Sequence, residues 1–254
     1  MTTAMGEATG QLDIGRVIQE TFQVLGRYFA TFLVLAVILT GVPAVLVGIV
    51  ELNFVSPGEL VSWESILGGV VAGLAGLILE GTVIYGTVTD LNGRRASIAD
   101  CLSVGLRSFL PLLGIGIVFG FAVAFGLVLL VIPGIMVAVA WCVAVPAYVV
   151  EQTGIIGAFS RSAELTRGNR WRVFALFVIY LIATVIMEVV LGVFSGAASL
   201  ATGGGLTFAQ AIIFSPLLRV ATALIGATAT AALYVELRRV RDGVGADSLA
   251  AIFD

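Results

Sequence analysis

The sequence predicts an all-α integral membrane protein with six transmembrane helices. Hydrophobic residues make up 59% of the 254 residues, charged residues make up 11%, and the mean hydropathy is +1.12. Soluble domains carry about 25% charged residues. A soluble fold of this size could not cover so much apolar surface, because most of its exterior must still face water. Lipid is therefore expected to surround most of the chain.

Apolar stretches of sufficient length recur six times. A transmembrane helix needs about 20 apolar residues to cross a hydrocarbon layer about 30 Å thick. The uncharged stretch of about 43 residues between Arg107 and Glu151 must form two spans, because one straight helix of that length would measure about 64 Å. Pro133-Gly134 is the strong helix breaker near its centre. The expected spans are 28–50, 66–89, 110–132, 135–150, 173–194 and 215–235.

The first span is expected to be a retained anchor and not a cleaved signal peptide. Charged residues from Glu7 to Glu20 precede the first apolar stretch, whereas a signal peptide has a short basic start followed at once by an apolar core. The membrane domain is expected to cover residues 12–241. A disordered segment is expected over 1–11 and a C-terminal tail over 242–254.

The basic residues are distributed asymmetrically about the six spans. All 13 are arginine. Twelve of them lie before span one, after span six, or in the connections between spans two and three and between spans four and five. Loops rich in arginine stay in the cytoplasm. An even number of spans therefore predicts that both termini are cytoplasmic. The expected location is the plasma membrane of a bacterium (its inner membrane).

Three of the cytoplasmic segments have the periodicity of amphipathic helices. Apolar residues recur at helical spacing over 12–29, over 98–109 and, more weakly, over 155–166. Ser97 followed by Asp100 is an N-cap signature for the second segment. Each segment ends in arginine plus an aromatic residue and continues into a span, which is typical of helices that lie in the headgroup plane. The pattern suggests a threefold repeat of one interfacial helix followed by two spans.

Three charged residues lie inside the predicted spans, where a charged side chain costs at least about 2.5–3.5 kcal/mol. Glu80 lies about 15 Å from the cytoplasmic end of span two, near the middle of the bilayer. It is a candidate proton or substrate site, and a hydrogen bond to a neighbouring helix is the structural alternative. Glu188 and Arg219 lie in the outer half on consecutive spans. They are expected to form an ion pair or line a water-filled vestibule, unless Arg219 extends to the outer interface.

Seven arginines on the predicted cytoplasmic side are candidate contacts for anionic lipid headgroups. A basic residue near the membrane surface contributes about 1 kcal/mol to such binding, although topology alone also accounts for their positions. The seven are Arg94, Arg95, Arg107, Arg161, Arg167, Arg170 and Arg172.

Small-residue patterns in three spans predict close approach between helices. The patterns are Gly69-x-x-x-Gly73, Gly116-x-x-x-Gly120 and Gly192-x-x-x-Gly196.

Several stretches resemble the membrane domain of glycerophosphoryl diester phosphodiesterases. They are GRRASIADCL (93–102), LVIPGI (130–135), the segment 140–146, the segment 151–172 with AFSRSAELTRG (158–168), and LYVELR (233–238). These stretches lie within a region of resemblance that is taken to run over roughly 12–243. The resemblance implies an association with lipid headgroup chemistry. It does not imply the activity, because those enzymes use a pair of histidines beside a metal held by carboxylates, and this chain has no histidine.

Composition excludes some function classes and leaves three open. The net charge of −3 argues against a nucleic-acid partner. Cys101 and Cys142 have neither metal-ligand spacing nor the setting of a disulfide, so no metal or cofactor is expected. The first hypothesis is a non-enzymatic protein that handles phospholipids or organises the membrane, with membrane lipids as partners. A homo-oligomer or a soluble partner protein stays open.

The alternative is a transporter or channel for a small solute or ion that uses the intramembrane glutamate and arginine side chains. An intramembrane enzyme is the weakest of the three hypotheses, because no acid–base constellation is evident. A transporter should contain a continuous polar cavity that links Glu80 to the outer pair. A lipid-handling protein should instead have a dry core with a lateral groove above its interfacial helices.

Overall fold

The computed structural model describes residues 11–54, 63–94, 97–202, 208 and 210–243, and the regular elements within these ranges are helical. The predicted disordered segment 1–11 and tail 242–254 lie almost entirely outside the described residues. Six described segments are long and apolar enough to cross a membrane: Phe29–Val50, Ile66–Leu91, Ile98–Leu129, Val131–Glu151, Arg170–Phe194 and Gln210–Asp242. The chain is therefore an all-α polytopic membrane protein, as predicted.

Ten α-helices and two π-helical turns form the described structure. In chain order the helices are α1 (Ile14–Arg27), α2 (Phe29–Ala36), α3 (Val42–Phe54), α4 (Trp63–Leu91), α5 (Ile98–Leu129), α6 (Val131–Trp141), α7 (Ala144–Glu151), α8 (Gly154–Leu165), α9 (Arg170–Thr202) and α10 (Ser215–Asp242). The π-helical turns are Val37–Gly41, between α2 and α3, and Gln210–Phe214, before α10. Each lies two residues before a proline, Pro43 or Pro216, whose missing N–H interrupts the regular α-helical pattern.

Helix α1 packs against the end of the bundle. Its N-cap is Asp13, which accepts a hydrogen bond from the Arg16 N–H at 3.1 Å. Val17 and Val24 are buried, whereas Phe22 is exposed. A guanidinium nitrogen of Arg16 lies 3.2 Å from a carboxylate oxygen of Glu236 in the last turns of α10. The first and last helices therefore meet at one end of the bundle, which we call the α1 end.

The second predicted interfacial helix is not a separate element, which corrects the sequence-based expectation. Residues 98–109 form the first turns of α5, a continuous helix of 32 residues that is about 48 Å long. Ser97 caps it as predicted, accepting from the Asp100 N–H at 3.1 Å. No cap or turn separates the amphipathic segment from the span, and Pro111 removes one N–H without ending the helix. The threefold repeat is therefore incomplete at its second unit.

Span four is broken between α6 and α7, and α8 packs against the break. The hydroxyl of Ser162 accepts from the Val143 N–H at 3.2 Å and donates to the Ala140 C=O at 2.9 Å. The rings of Phe159 and Trp141 pack with their centroids 4.5 Å apart. Backbone N–H and C=O groups that lose their helical partners inside a membrane span must form hydrogen bonds elsewhere in the protein. The Ser162 hydroxyl is the partner of both groups at this break. Helix α8 is thus a packed element as well as a predicted interfacial one.

Close helix contacts occur at glycines other than those of the predicted small-residue patterns. A Cβ on Gly105 would lie 2.6 Å from the Ile78 C=O, which brings α5 directly against α4. A Cβ on Gly126 would lie 2.8 Å from the Cα of Gly134 across the α5–α6 turn. In contrast, a Cβ at any of the six pattern glycines would meet no described atom within 4 Å. Those patterns therefore do not mark helix contacts within the described part of the chain.

Candidate functional site

A cavity of about 760 Å³ lies between α4, α9 and α10 and extends to α1. We call it the α4–α9–α10 cavity. Its lining includes Thr21 and Phe22 of α1, Gly76 and Glu80 of α4, Phe177 and Tyr180 of α9, and Arg219, Thr222, Ala223, Gly226 and Thr230 of α10. Phe22 and Phe177 are 60% and 48% exposed. The cavity therefore opens to the outside of the bundle.

The cavity exists because α9 lies apart from the other spans. Only 6% of the most apolar stretch of this span is buried inside the protein, compared with 39% for span four. Small residues on the facing helices, among them Gly76 and Ala223, leave the space between them unfilled. Neither feature appears in a hydropathy profile, because both depend on which helices face each other.

A tyrosine connects α9 to α10 across the cavity. The hydroxyl of Tyr180 donates to the Thr222 C=O at 3.1 Å. A Cβ on Gly226 would lie 3.0 Å from the same hydroxyl oxygen, so glycine at this position allows the ring to approach the helix backbone.

The threonine hydroxyls in the lining are already paired within their own helices. Each donates to the backbone C=O four residues earlier in the chain, at 2.7 or 2.8 Å; the four are Thr21, Thr40, Thr222 and Thr230. A threonine paired in this way presents mainly its methyl group to its surroundings. The cavity surface is therefore more apolar than its residue types suggest.

Two charged side chains line the same cavity. Glu80 is partly buried. Among the described residues, no hydrogen bond and no ion pair within 4.0 Å involves its carboxylate. Arg219 is exposed, and no described acidic group lies within 4.0 Å of its guanidinium. Glu80 precedes Asp90 by ten residues, about 15 Å along α4, and Arg219 precedes Glu236 by 17 residues, about 26 Å along α10.

Glu188 does not join this site, and the ion pair expected between Glu188 and Arg219 is not formed in the described structure. Glu188 is exposed on α9 and does not line the cavity. The stripe of α9 that faces the cavity includes Leu176, Tyr180 and Ala183. At helical spacing this stripe continues at Met187, and Glu188 is rotated from it by about 100° around the helix.

A network of charged residues surrounds the last turns of α10 at the α1 end. Arg161 of α8 binds Glu151 of α7 at 3.0 Å and Asp242 of α10 at 2.6 Å. The Tyr234 hydroxyl donates to Glu151 at 2.8 Å. Partial burial of Arg161 disfavours its charge, but the hydrogen bonds and charges of Asp242 and Glu151 outweigh that effect and raise the guanidinium pKa above its usual value. This cluster holds α7, α8 and α10 together.

A second cluster holds α1 to α10. Glu236 is only 1% exposed and lies between Arg16 at 3.2 Å and Arg239 at 3.4 Å. Arg239 also binds Glu20 at 2.7 Å. The spacing of Glu236 and Arg239 in sequence could have predicted their contact. The contacts of α10 with α1 join residues about 220 positions apart, and no local pattern predicts them.

The seven arginines predicted to contact lipid headgroups have different surroundings. Arg161 is held in its cluster, and Arg172 donates to the Leu12 C=O at 2.6 Å and to the Gln11 side chain. Arg170 is partly buried. The exposed ones, without an ion pair among the described residues, are Arg94, Arg107 and Arg167. Arg95 lies outside the described residues. Two of the seven side chains, Arg161 and Arg172, therefore make internal contacts, Arg161 in the network around α10 and Arg172 with the chain before α1.

Within the described residues, no group of three or more His, Cys, Asp or Glu side chains could hold a metal ion. Cys101 and Cys142 are both free thiols. Cys142 lines the cavity next to the span-four break.

The family model described as a domain of unknown function (DUF7847) matches residues 12–237, which include every residue that lines the cavity. No curated protein matches the chain, and no solved structure does. The family description assigns no activity, so the resemblance to the membrane domain of glycerophosphoryl diester phosphodiesterases stays a prediction. The match covers most of the 254 residues, and the chain belongs to the DUF7847 family.

Proposed function

We propose that the protein is a non-enzymatic membrane protein that handles phospholipids, binding an amphiphile with its hydrocarbon portion in the α4–α9–α10 cavity. The observation that carries the proposal is the cavity itself. Its volume of about 760 Å³ falls in the range of about 300–1,000 Å³ typical of small-molecule sites. Its surface is mainly apolar, and it opens where α9 stands apart from the bundle. Each methylene that enters such a site contributes about 0.8 kcal/mol.

We place the protein in a bacterial inner membrane with the α1 end in the cytoplasm. The arrangement of arginines supports this orientation through the positive-inside rule. Exposed Arg94, Arg107 and Arg167 would then lie near the cytoplasmic headgroups, together with Trp171, which is 84% exposed. Tryptophan favours this interfacial level. The resemblance to the phosphodiesterase membrane domain agrees with a role in phospholipid chemistry.

One observation favours the second candidate, a small-solute or ion transporter. Glu80 and Arg219 line the same cavity, as a polar transport site would require. The paired threonine hydroxyls argue against a hydrated path between them, because they offer few free polar groups to a solute. We therefore rank binding of an amphiphile above transport of a small hydrophilic solute.

The test fills the cavity without disturbing its walls. Gly76 lines the cavity, and a Cβ there would meet no described atom within 4 Å, so Gly76→Phe places a ring in the open space. Gly120→Phe is the matched control, because Gly120 also has open space but does not line the cavity. Full-length protein is purified in a mild detergent, and its bound lipids are measured by native mass spectrometry. We expect Gly76→Phe to lose lipid that the wild type and Gly120→Phe retain. Equal lipid in all three proteins would refute the proposal.

A further inference from the structure

We infer that the Glu80 carboxylate binds the ammonium group of the amphiphile that occupies the α4–α9–α10 cavity. The inference rests on the proposed function and names the class of ligand. Glu80 is the acidic side chain in the described cavity lining. Its carboxylate has no hydrogen-bond or ion-pair partner among the described residues, although the threonine hydroxyls and the Tyr180 hydroxyl of the lining are all paired. Within the described residues, the carboxylate of Glu80 is thus an unpaired acidic group in a cavity whose lining is mainly apolar, and Arg219 is the basic side chain in the same lining.

The position of Glu80 favours a cationic group as its partner. A carboxylate inside a span is costly unless it is paired, and an ammonium group forms a charge-assisted hydrogen bond with it. Phe177 and Tyr180 line the same cavity, and aromatic faces attract ammonium groups. The hydrocarbon chain of the ligand would contact the remaining apolar lining.

Arg219 does not pair with the Glu80 carboxylate, and its guanidinium could bind a second, anionic group of the same ligand. The two side chains form no ion pair within 4.0 Å in the described structure, although both line the cavity. A zwitterionic headgroup carries an ammonium for Glu80 and a phosphate for Arg219. A simple long-chain amine carries the ammonium alone. Both ligands share the chemistry that Glu80 recognises, so the experiment compares the two sources.

The first measurement compares ligands that differ only in the charged group. Thermal unfolding of the full-length protein in an uncharged detergent is followed with dodecylammonium or dodecanol, which have the same chain. Native mass spectrometry then compares retained phosphatidylethanolamine with phosphatidylglycerol of the same acyl chains. We expect the protein to prefer dodecylammonium over dodecanol. Preference for phosphatidylethanolamine as well would identify the lipid headgroup as the source, whereas preference for the amine alone would identify a free amphiphile.

The second measurement removes the charge of Glu80. We expect Glu80→Gln to weaken dodecylammonium binding by about tenfold or more and so to remove the preference for the amine over dodecanol. Glu188→Gln is the matched control, since Glu188 is exposed on α9 and does not line the cavity. The inference is overturned if the wild type binds the amine and the alcohol equally, a comparison that needs no variant. It is also overturned if Glu80→Gln keeps the preference for the amine.

The two proposals fail in different ways. In one outcome, Gly76→Phe retains less lipid than the wild type, but Glu80→Gln binds dodecylammonium as the wild type does. The cavity then binds amphiphiles, and Glu80 is not their ammonium site. If Gly76→Phe and the wild type carry equal lipid, the proposed function fails and the inference fails with it.

Discussion

Replacing Ser162 with alanine should destabilise the protein by about 1–3 kcal/mol, because it removes the acceptor of a buried backbone group at the break in span four. Ser162 is fully buried, and its hydroxyl bonds both Val143 N–H and Ala140 C=O. The Thr166 hydroxyl, whose nearest acceptor is the Ser162 C=O at 2.9 Å, lies 3.3 Å from the carbonyl of Ala140 and can serve it as an alternative donor. The main loss therefore falls on the Val143 N–H, which is left without its acceptor.

Thermal unfolding in detergent, followed by tryptophan fluorescence, measures this loss. A change of 1 kcal/mol corresponds to about 2–4 °C in Tm for a chain of this size, so we expect Ser162→Ala to melt several degrees below the wild type. Ser160→Ala is the control, since Ser160 is exposed on the same helix and should stay within about 0.5 kcal/mol of the wild type. If the two variants melt at the same temperature, Ser162 does not stabilise the break and our account of span four is wrong.

Two further substitutions test the contacts that hold α9 and α10. Tyr180→Phe removes the hydrogen bond to Thr222, and we expect a loss of about 0.5–1.5 kcal/mol in detergent unfolding; a variant as stable as the wild type would show that this bond does not hold α9. Arg161→Ala leaves the partly buried Glu151 without its cation, and we expect a loss toward the lower end of about 3–5 kcal/mol. Arg167→Ala is the control, because Arg167 is exposed and lies six residues after Arg161 in the chain. It should unfold like the wild type. Equal effects of the two arginine variants would contradict the role given to the network.

The transmembrane fold could be predicted from composition because the bilayer sets the length of each span. The six spans and the N-cap at Ser97 depend on local sequence, and both predictions agree with the structure. The boundary between the second amphipathic segment and span three could not be located. Amphipathic and apolar turns have the same backbone, and nothing in the sequence ends the helix at Pro111.

The candidate site was predicted in part. Glu80 and Arg219 stood out because charged side chains are rare inside spans, but their shared cavity depends on the separation of α9 from α4 and α10. The predicted contact of Glu188 with Arg219 rests on their similar depth and on their places on consecutive spans. Depth fixes the level of a residue and not the direction of its side chain, so the expected ion pair with Arg219 did not follow.

The charge network at the α1 end shows the same limit. The sequence marked Arg161 and Arg172 as basic residues near the membrane, and topology explained their side. Their partners, Glu151, Asp242 and the Leu12 carbonyl, come from helices that meet only in the folded protein. Positive charge near the predicted cytoplasmic surface was therefore visible in the sequence, and its internal use was not.

Photolabelling with a phospholipid that carries a photoreactive group in its acyl chain tests the central claim most directly. The claim predicts adducts on cavity residues of α4 and α10, such as Gly76 and Ala223. The adduct on Ala223 should disappear in Gly76→Phe, while adducts on the exposed Phe121 and Phe125 of α5 persist. Labelling of Phe121 and Phe125 with none on the cavity residues of the wild type would contradict the claim that the α4–α9–α10 cavity holds an amphiphile.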